Sequence, residues 1–292
     1  MKMPMRLLLV VILFSTLASC SSGKRSLDTG GLFPIINKDG KWGYIDKSGK
    51  VIIQPQFVGR VQFFSEGLAG ATTDGRKLGF IDKSGNFVIS PQYDDALFFS
   101  DGLAAVLVDK KIGYIDRTGK FVITPQFESG GGDTRWAYPF SDGLAGVFTG
   151  DKCGYIDKSG KFVINPQFKE CFPFYEKLAP IRLEDKWGGI DKTGKMVINP
   201  QFQGNYYATI DRGLMMDILV RDIARITFSD GLAAVSTGDK SGYIDTTGHF
   251  VINPQFELAL PFIDGLALVA EGKGPEAQIG WIDKSGKYIW KR

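Results

Sequence analysis

The sequence predicts an all-β chain of seven tandem three-stranded antiparallel repeats, forming a propeller-like ring or, alternatively, an open curved β-solenoid, with one inserted helix. Three observations predict it. The phrase Gly-Tyr-Ile-Asp-Lys-Ser-Gly-Lys, or a close variant, starts at Gly43, Gly79, Gly113, Gly154, Gly188, Gly242 and Gly280. Successive copies stand 36, 34, 41, 34, 54 and 38 residues apart, the period of architectures whose units bury their apolar faces only by stacking on neighbours. Seven whole units fit between about residues 32 and 290 with nothing left over, as in sheets arrayed around a ring.

Residues 1–19 precede the fold. Lys2 and Arg6 form a short positive stretch, residues 7–14 are apolar, and small residues lead to Cys20. This reads as a secretory signal, too short for a membrane-spanning helix of about 20 apolar residues. The cysteine after Leu17-Ala18-Ser19 resembles the lipobox of bacterial lipoproteins. That resemblance implies cleavage before Cys20, with lipid on its sulfur and amino group. Ser21 next to it resembles the class sorted to the outer membrane of Gram-negative bacteria, so the outer membrane is expected rather than the inner. Residues 20–31 then form a lipidated tether, and residues 32–292 the repeats.

Losing the signal lowers the formal net charge from +3 to +1. A nearly neutral chain offers no concentrated basic surface for nucleic acid. In an oxidising compartment, Cys153 and Cys171, 18 positions apart in one repeat, are candidates for a disulfide.

Each unit divides into three short runs rich in β-branched and aromatic residues, exemplified by residues 103–108, 113–115 and 121–125, which favours strands. Asp116-Arg117-Thr118-Gly119 joins the last two. Its Asp can bond its own backbone two residues on, and its Gly takes the positive φ of a bulged hairpin. The same frame stands at Asp46, Asp82, Asp157, Asp191, Asp245 and Asp283. Proline at 55, 91, 125, 166, 200 and 254 is expected to end the third strand, because it removes a ladder donor. Aromatic residues then recur in the connection, at Phe57, Tyr93, Phe127, Phe168, Phe202 and Phe256, and again at Phe64, Phe99, Phe140, Phe174, Phe228 and Phe262. They are expected to fill the seams between units, a task suited to side chains that bury about 150–250 Å² each.

Lys41-Trp42-Gly43 and Lys186-Trp187-Gly188 are literal Lys-Trp-Gly triplets. With the seven copies they resemble the WG-repeat (KWG) proteins of bacteria, over essentially the whole chain after the signal. Other copies carry Leu78, Ile112, Cys153, Ser241 or Ile279 in place of Trp. The resemblance implies an all-β repeat domain, often exported and presumed to bind other molecules. It transfers no catalytic residue.

No chemistry announces itself. The single histidine, His249, occupies a hairpin turn. No His/Cys cluster has metal-ligand spacing, so no metal and no cofactor are expected. Most carboxylates recur once per unit at turns, which suits local structure better than a single active site. The departures from the repeat are more informative. An insertion at 128–139 carries Arg135, Trp136 and Tyr138, candidate ligand contacts on a Gly-rich loop. A second, at 203–227, places Leu214, Met215, Ile218, Leu219, Ile223 and Ile226 near helical spacing, which predicts the one helix.

The leading expectation is a lipid-anchored, non-enzymatic binding scaffold of the cell envelope whose partner is an envelope protein or polysaccharide. The alternative is an envelope glycan hydrolase or lyase using carboxylates such as Asp133, Asp211 or Glu257. A third reading is a purely structural member of an envelope complex. Charge predicts two edges. Eleven cations flank seven hairpin aspartates, among them Lys47, Lys83, Arg117 and Lys158, whereas the Phe-Ser-Asp-Gly turns carry acids. If equivalent turns align, one edge is mildly basic, suited to anionic polymers, and the other is acidic.

Cys20→Ala is expected to abolish lipid labelling and to release the protein from membranes or leave uncleaved precursor. Labelling and fractionation like wild type would remove the lipobox reading.

Overall fold

The computed structural model describes residues 30–59, 61–128, 137–203, 228–262, 265–272 and 277–291. These residues form strands in seven antiparallel sheets, with no helix among them. The inserted helix expected at 203–227 falls almost wholly outside the described residues. Two compact units divide the chain, one holding Leu27–Pro173 and four sheets, the other Phe174–Arg292 and three.

The third sheet serves as template. Its strands Ala104–Val108, Lys111–Ile115 and Phe121–Glu128 pair antiparallel in sequence order. The hairpin between the last two is closed by Asp116, whose Oδ1 accepts from Thr118 N at 2.9 Å, Thr118 Oγ1 at 2.6 Å and Lys120 N at 3.1 Å. Gly119 completes the turn at φ +86°, in the left-handed region that disfavours a Cβ. His249 sits in the equivalent turn, with its amide on Asp245 Oδ1 at 3.1 Å and its Nδ1 2.7 Å from Thr247 Oγ1.

Two expectations need correction. Proline does not end the third strand. Val51–Phe57, Phe87–Tyr93, Phe162–Phe168, Met196–Phe202 and Phe250–Phe256 all run through it to the aromatic residue. The register explains why. Tyr44 pairs with Ile53, and Trp42 with Phe57, so Gln54, Pro55 and Gln56 form a bulge opposite Gly43 alone. A bulge leaves residues unpaired, so the missing proline N–H costs no ladder bond. It also lays the third strand onto the glycine. A Cβ on Gly43 would stand 2.4 Å from the Ile53 carbonyl oxygen and 2.7 Å from Pro55 N, and on Gly113 2.6 and 2.8 Å from Ile123 O and Pro125 N. The glycine of each repeated phrase is therefore a steric requirement.

Nor are the repeats simply three-stranded. The connections Asp95–Ala96, Phe228–Ser229 and Leu258–Ala259 form short extra strands on the first strand of the following hairpin. Elsewhere Val58 N and Gln62 N donate to Thr72 O and Gly70 O, and Tyr138 N donates to Gly146 O. The connection adds these bonds because the buried first strand would otherwise carry unpaired backbone groups along that edge.

Neighbouring sheets lock through three recurring contacts. The tyrosine of the phrase is fully buried at Tyr44, Tyr114 and Tyr243. Its hydroxyl donates to the connection carbonyl of Gln62, Tyr138 or Leu260 at 2.6–2.9 Å. Its ring meets Phe64, Phe140 or Phe262 edge-on, centroids 4.8–4.9 Å apart. Burial raises the Tyr44 and Tyr114 phenols above their ordinary pKa. The aromatic residue ending one third strand meets that opening the next, as in Phe57–Phe87, Phe127–Phe162 and Phe202–Phe250 at 5.9–6.2 Å. Finally, an isoleucine packs on the next hairpin glycine, as Ile89 does on Gly119 and Ile123 on Gly160. The aromatic residues do fill the seams.

Gly113→Ala should cost more than about 4 kcal/mol in denaturant unfolding, because backbone blocks the added methyl. Gly102→Ala, with nothing within 4 Å of the new Cβ but φ +83°, should cost about 1–3 kcal/mol.

Candidate functional site

The Phe-Ser-Asp-Gly turns are two-residue hairpin turns with both central residues left-handed, such as Asp101 at φ +54° and Gly102 at φ +83°. Ser100 and Leu103 exchange backbone hydrogen bonds across it. The acids of these turns are committed to the neighbouring repeat. Glu66 Oε2 accepts from Gly102 N at 3.0 Å, Asp101 Oδ2 from Gly143 N at 2.8 Å, and Asp230 Oδ2 from Gly265 N at 2.7 Å. Serines run alongside: Ser65, Ser100 and Ser229 Oγ donate to the carbonyls of Phe99, Phe140 and Phe262 at 2.6–2.7 Å.

The separate basic and acidic edges are not found. Lys158, a hairpin cation, donates through Nζ to the Asp101 carbonyl at 2.5 Å. Arg117 reaches within 3.3 Å of where a Cβ on Gly67 would lie, and Lys83 lies against Gly30. A hairpin of one repeat thus leans over the acidic turn that opens the repeat before it. The stagger between sheets interleaves the two sets of charges along one edge, so each largely offsets the other.

A second set of acids behaves alike. Asp94 accepts from Lys77 Nζ at 2.5 Å and from Asp109 N at 3.0 Å. Glu257 accepts from Lys240 Nζ at 2.6 Å and Gly272 N at 2.8 Å. Burial pushes the Glu257 carboxyl up, but Lys240 and the backbone donors outweigh it and leave its pKa below the usual glutamate value. A glycosidic general acid needs the opposite shift. Asp133 and Asp211 lie outside the described residues.

So do Cys20, Arg135 and Trp136. Tyr138 is described, and it is built into a seam: its carbonyl accepts from Tyr114, and its ring lies 5.2 Å from that of Phe172. Cys153 and Cys171 are joined as a disulfide with Cα atoms 6.0 Å apart, and both are fully buried. Cys153 takes the Trp position of the motif, and Cys171 takes the connection position of Ala96. The bridge therefore replaces an ordinary seam contact. No group of three or more metal-ligating side chains occurs among the described residues.

Two exposed features were not singled out from sequence. One is a row of solvent-facing aliphatics at the centre of the third strands: Ile52, Val88, Val122 and Val163 in one unit, Val197 and Val251 in the other. Exposed Gln, Ser, Thr or Asn side chains flank them, such as Thr124 and Gln126. The other lies on the last sheet, where Trp281 and Trp290 pair directly across Gln278–Asp283 and Tyr288–Lys291 and both face solvent. Its signal was legible, since Trp281 stands where four of the six other copies have tyrosine and Trp290 where all six have isoleucine.

Stacked antiparallel sheets locked by aromatic seams define an all-β repeat protein. The WG containing repeat matches residues 42–76, 79–111, 112–153, 154–187, 187–204 and 242–273, and the chain belongs to that family. Among solved structures it is similar to a eukaryotic initiation factor, at 11% identity and TM-score 0.57, covering 89% of this chain and 73% of that one. It is also similar to Hsv2 of Kluyveromyces lactis with complete loop 6CD, a propeller-like protein, at 10% identity and TM-score 0.50, covering 91% and 94%. At these identities the likeness is one of fold. No curated protein matches the chain in sequence.

The hairpin aspartates set an acid limit. The hydroxyls of Ser48, Thr118, Ser159, Thr193, Thr247 and Ser285, followed by backbone amides, hold Asp46, Asp116, Asp157, Asp191, Asp245 and Asp283 below the usual aspartate value despite some desolvation. A depressed folded pKa gives stability that is fully present above the unfolded value, about 3.9, and lost as pH falls through the folded one. Tm should be nearly flat from pH 7 to about 5 and fall below about 4. In Asp116→Asn, which keeps an acceptor but no titrating group, the fall should be shallower.

Proposed function

We infer that this protein is a lipid-anchored binding scaffold of the bacterial envelope, whose repeats close into a propeller-like array rather than remaining an open solenoid. The observation that carries the binding role is the row of exposed aliphatics on the third strands. Each sits on a rigid, seam-locked sheet, flanked by neutral hydrogen-bonding side chains. Rigid presentation lowers the entropy cost of association, and one equivalent site per sheet lets weak contacts add by multivalency. A partner with its own repeat, either an envelope polysaccharide or an extended protein surface, matches that spacing. The near-neutral edges favour contacts of this kind over attraction to polyanions.

Membrane attachment follows from the lipobox-like Cys20. Acyl chains contribute about 0.8 kcal/mol per buried CH₂, and placement at the outer membrane follows from Ser21. The non-enzymatic reading draws support from the described carboxylates with shifted pKa values, all displaced downward, such as Asp94, Glu257 and Glu271. Such groups stay ionised and committed to their donors.

The test is capture from cross-linked envelopes. Val88→Lys, Val122→Lys and Val163→Lys combined should leave Tm within a few degrees of wild type, since these side chains are exposed, and should lower recovery of the bound partner at least tenfold. Undiminished recovery would move the binding surface elsewhere. Turnover of cell-wall or capsule glycan by the purified chain would replace the scaffold with the enzyme.

A further inference from the structure

An aspartate followed by glycine carries a reaction of its own. The glycine nitrogen, unhindered by a side chain, attacks the aspartate Cγ. A Cγ–N bond forms and a Cγ–O bond breaks, and the departing oxygen leaves as water with the amide hydrogen and one proton taken up by the carboxylate. Water then reopens the five-membered imide at its α-carbonyl and leaves isoaspartate. The attack needs Cγ and nitrogen within about 3–3.5 Å and aligned, so the peptide plane and the side chain must both turn. At Asp101–Gly102 the structure holds both. Gly102 N donates to Glu66 Oε2 at 3.0 Å, and Lys158 Nζ donates to the Asp101 carbonyl at 2.5 Å, so the plane between the two residues is tied at each end. The Asp101 carboxylate is turned to Gly143 N, 2.8 Å from Oδ2. Three other repeats supply the three ties, each a charge-assisted hydrogen bond. The turn is only half-buried, so water reaches it.

We propose that Asp101–Gly102 is a latent isoaspartate modification site, and that the relay of turn acids between repeats is the chemical guard that keeps it shut. The order of the acids supports this. The relay begins at Glu66–Gly67, and glutamate would have to close a less favourable six-membered ring, so the first guard is not itself at risk. Glu66 guards Gly102, and Asp101 in turn guards Gly143, the attacking nitrogen of Asp142–Gly143. Conversion at Asp101 inserts a methylene into the backbone and leaves the shorter α-carboxylate as the side group. A turn built on Asp101 at φ +54° and Gly102 at φ +83° cannot keep its two-residue spacing with that insertion, and the reach to Gly143 N is lost. One lesion thereby removes the guard of the next repeat. Opening of the seam starts the sequence, since local opening frees the plane and the carboxylate together. Asp39–Gly40 offers the contrast. It lies in an exposed turn, and Gly40 N donates to the Asn37 carbonyl of that same turn at 3.1 Å, with no tie to another repeat among the described residues. The guard depends neither on the binding role nor on closure of the array.

Ageing of the full-length protein at neutral pH supplies the test, with isoaspartate at Asp39, Asp101 and Asp142 quantified by peptide mapping and electron-transfer fragmentation. Asp39 serves as the clock inside each molecule. In the native chain Asp101 should convert several-fold more slowly than Asp39, and in denaturant the two should convert alike. Equal rates in the native chain, or an Asp101 that stays slow in denaturant, would overturn the proposal without any variant having to fold. Glu66→Ala and Lys158→Ala should each speed conversion at Asp101 several-fold while Asp39 keeps its native rate. Glu66→Gln, which retains an acceptor for Gly102 N, should stay near the native rate. An unchanged Asp101 in the alanine variants, or an equal rise at Asp39, would sink the idea, the latter by assigning the effect to general loosening. Asp101→Ala should speed conversion at Asp142, and no change there would remove the relay. None of these readouts bears on partner capture by the valine row, so the two readings fail separately.

Discussion

The close approach of a strand backbone to a side-chain-free position governs this fold. Opposite Gly43, Gly79, Gly113, Gly154, Gly188 and Gly242, the third strand bulges inward until its carbonyl occupies the space of a Cβ. That contact lets each third strand carry a proline at its edge without losing a ladder bond, and an edge strand with proline resists pairing with another chain. It also turns the aromatic residue at the strand end, such as Phe57 or Phe127, back into the seam. Remove the glycine and the bulge, the edge protection and the seam fail together.

Charge is used with the same economy. Each hairpin Asp holds its own turn, the turn acids Glu66, Asp101 and Asp230 each hold a backbone N–H of the next repeat, and Asp94 and Glu257 tie a lysine to a neighbouring turn. Exposed ion pairs of this sort contribute only about 0–1 kcal/mol each, and Lys77–Asp94 is such a pair, with both side chains more than a third exposed. Their larger effect is on register. Acids that point at a particular N–H of the next repeat fix how far one sheet is offset from another, and hydrophobic seams alone do this weakly.

Much of the fold was legible because repetition multiplies weak signals. Seven Asp-x-x-Gly frames settle the hairpin, and recurring Tyr and Phe positions settle the seam. Two things escaped. Proline was read by its local rule, as a strand terminator, when the bulge opposite the glycine on the adjacent strand removes the bond it would break. The charged edges were read as if equivalent turns were level, when the sheets are staggered so that Lys158 reaches the turn at Asp101. Both errors came from relations between strands or sheets that spacing along the chain does not encode. For the candidate site, Tyr138 looked free because it sits in an insertion, yet its backbone is in register with Gln62 and Leu97.

Repetition also constrains where specificity can arise. A residue present in every repeat is used by every seam, and changing it damages several sheets at once. Selective recognition must therefore come from positions that face solvent in all repeats, such as the third-strand valines, or from copies that break the pattern. Cys153, Cys171, Trp281 and Trp290 are of the latter kind. Two such departures stand out: the disulfide puts a covalent bond where other repeats have an ordinary contact, and Trp281 and Trp290 pair as two large rings on an exposed face. Neither departure falls on the third-strand valines, which stay exposed in the repeats around them.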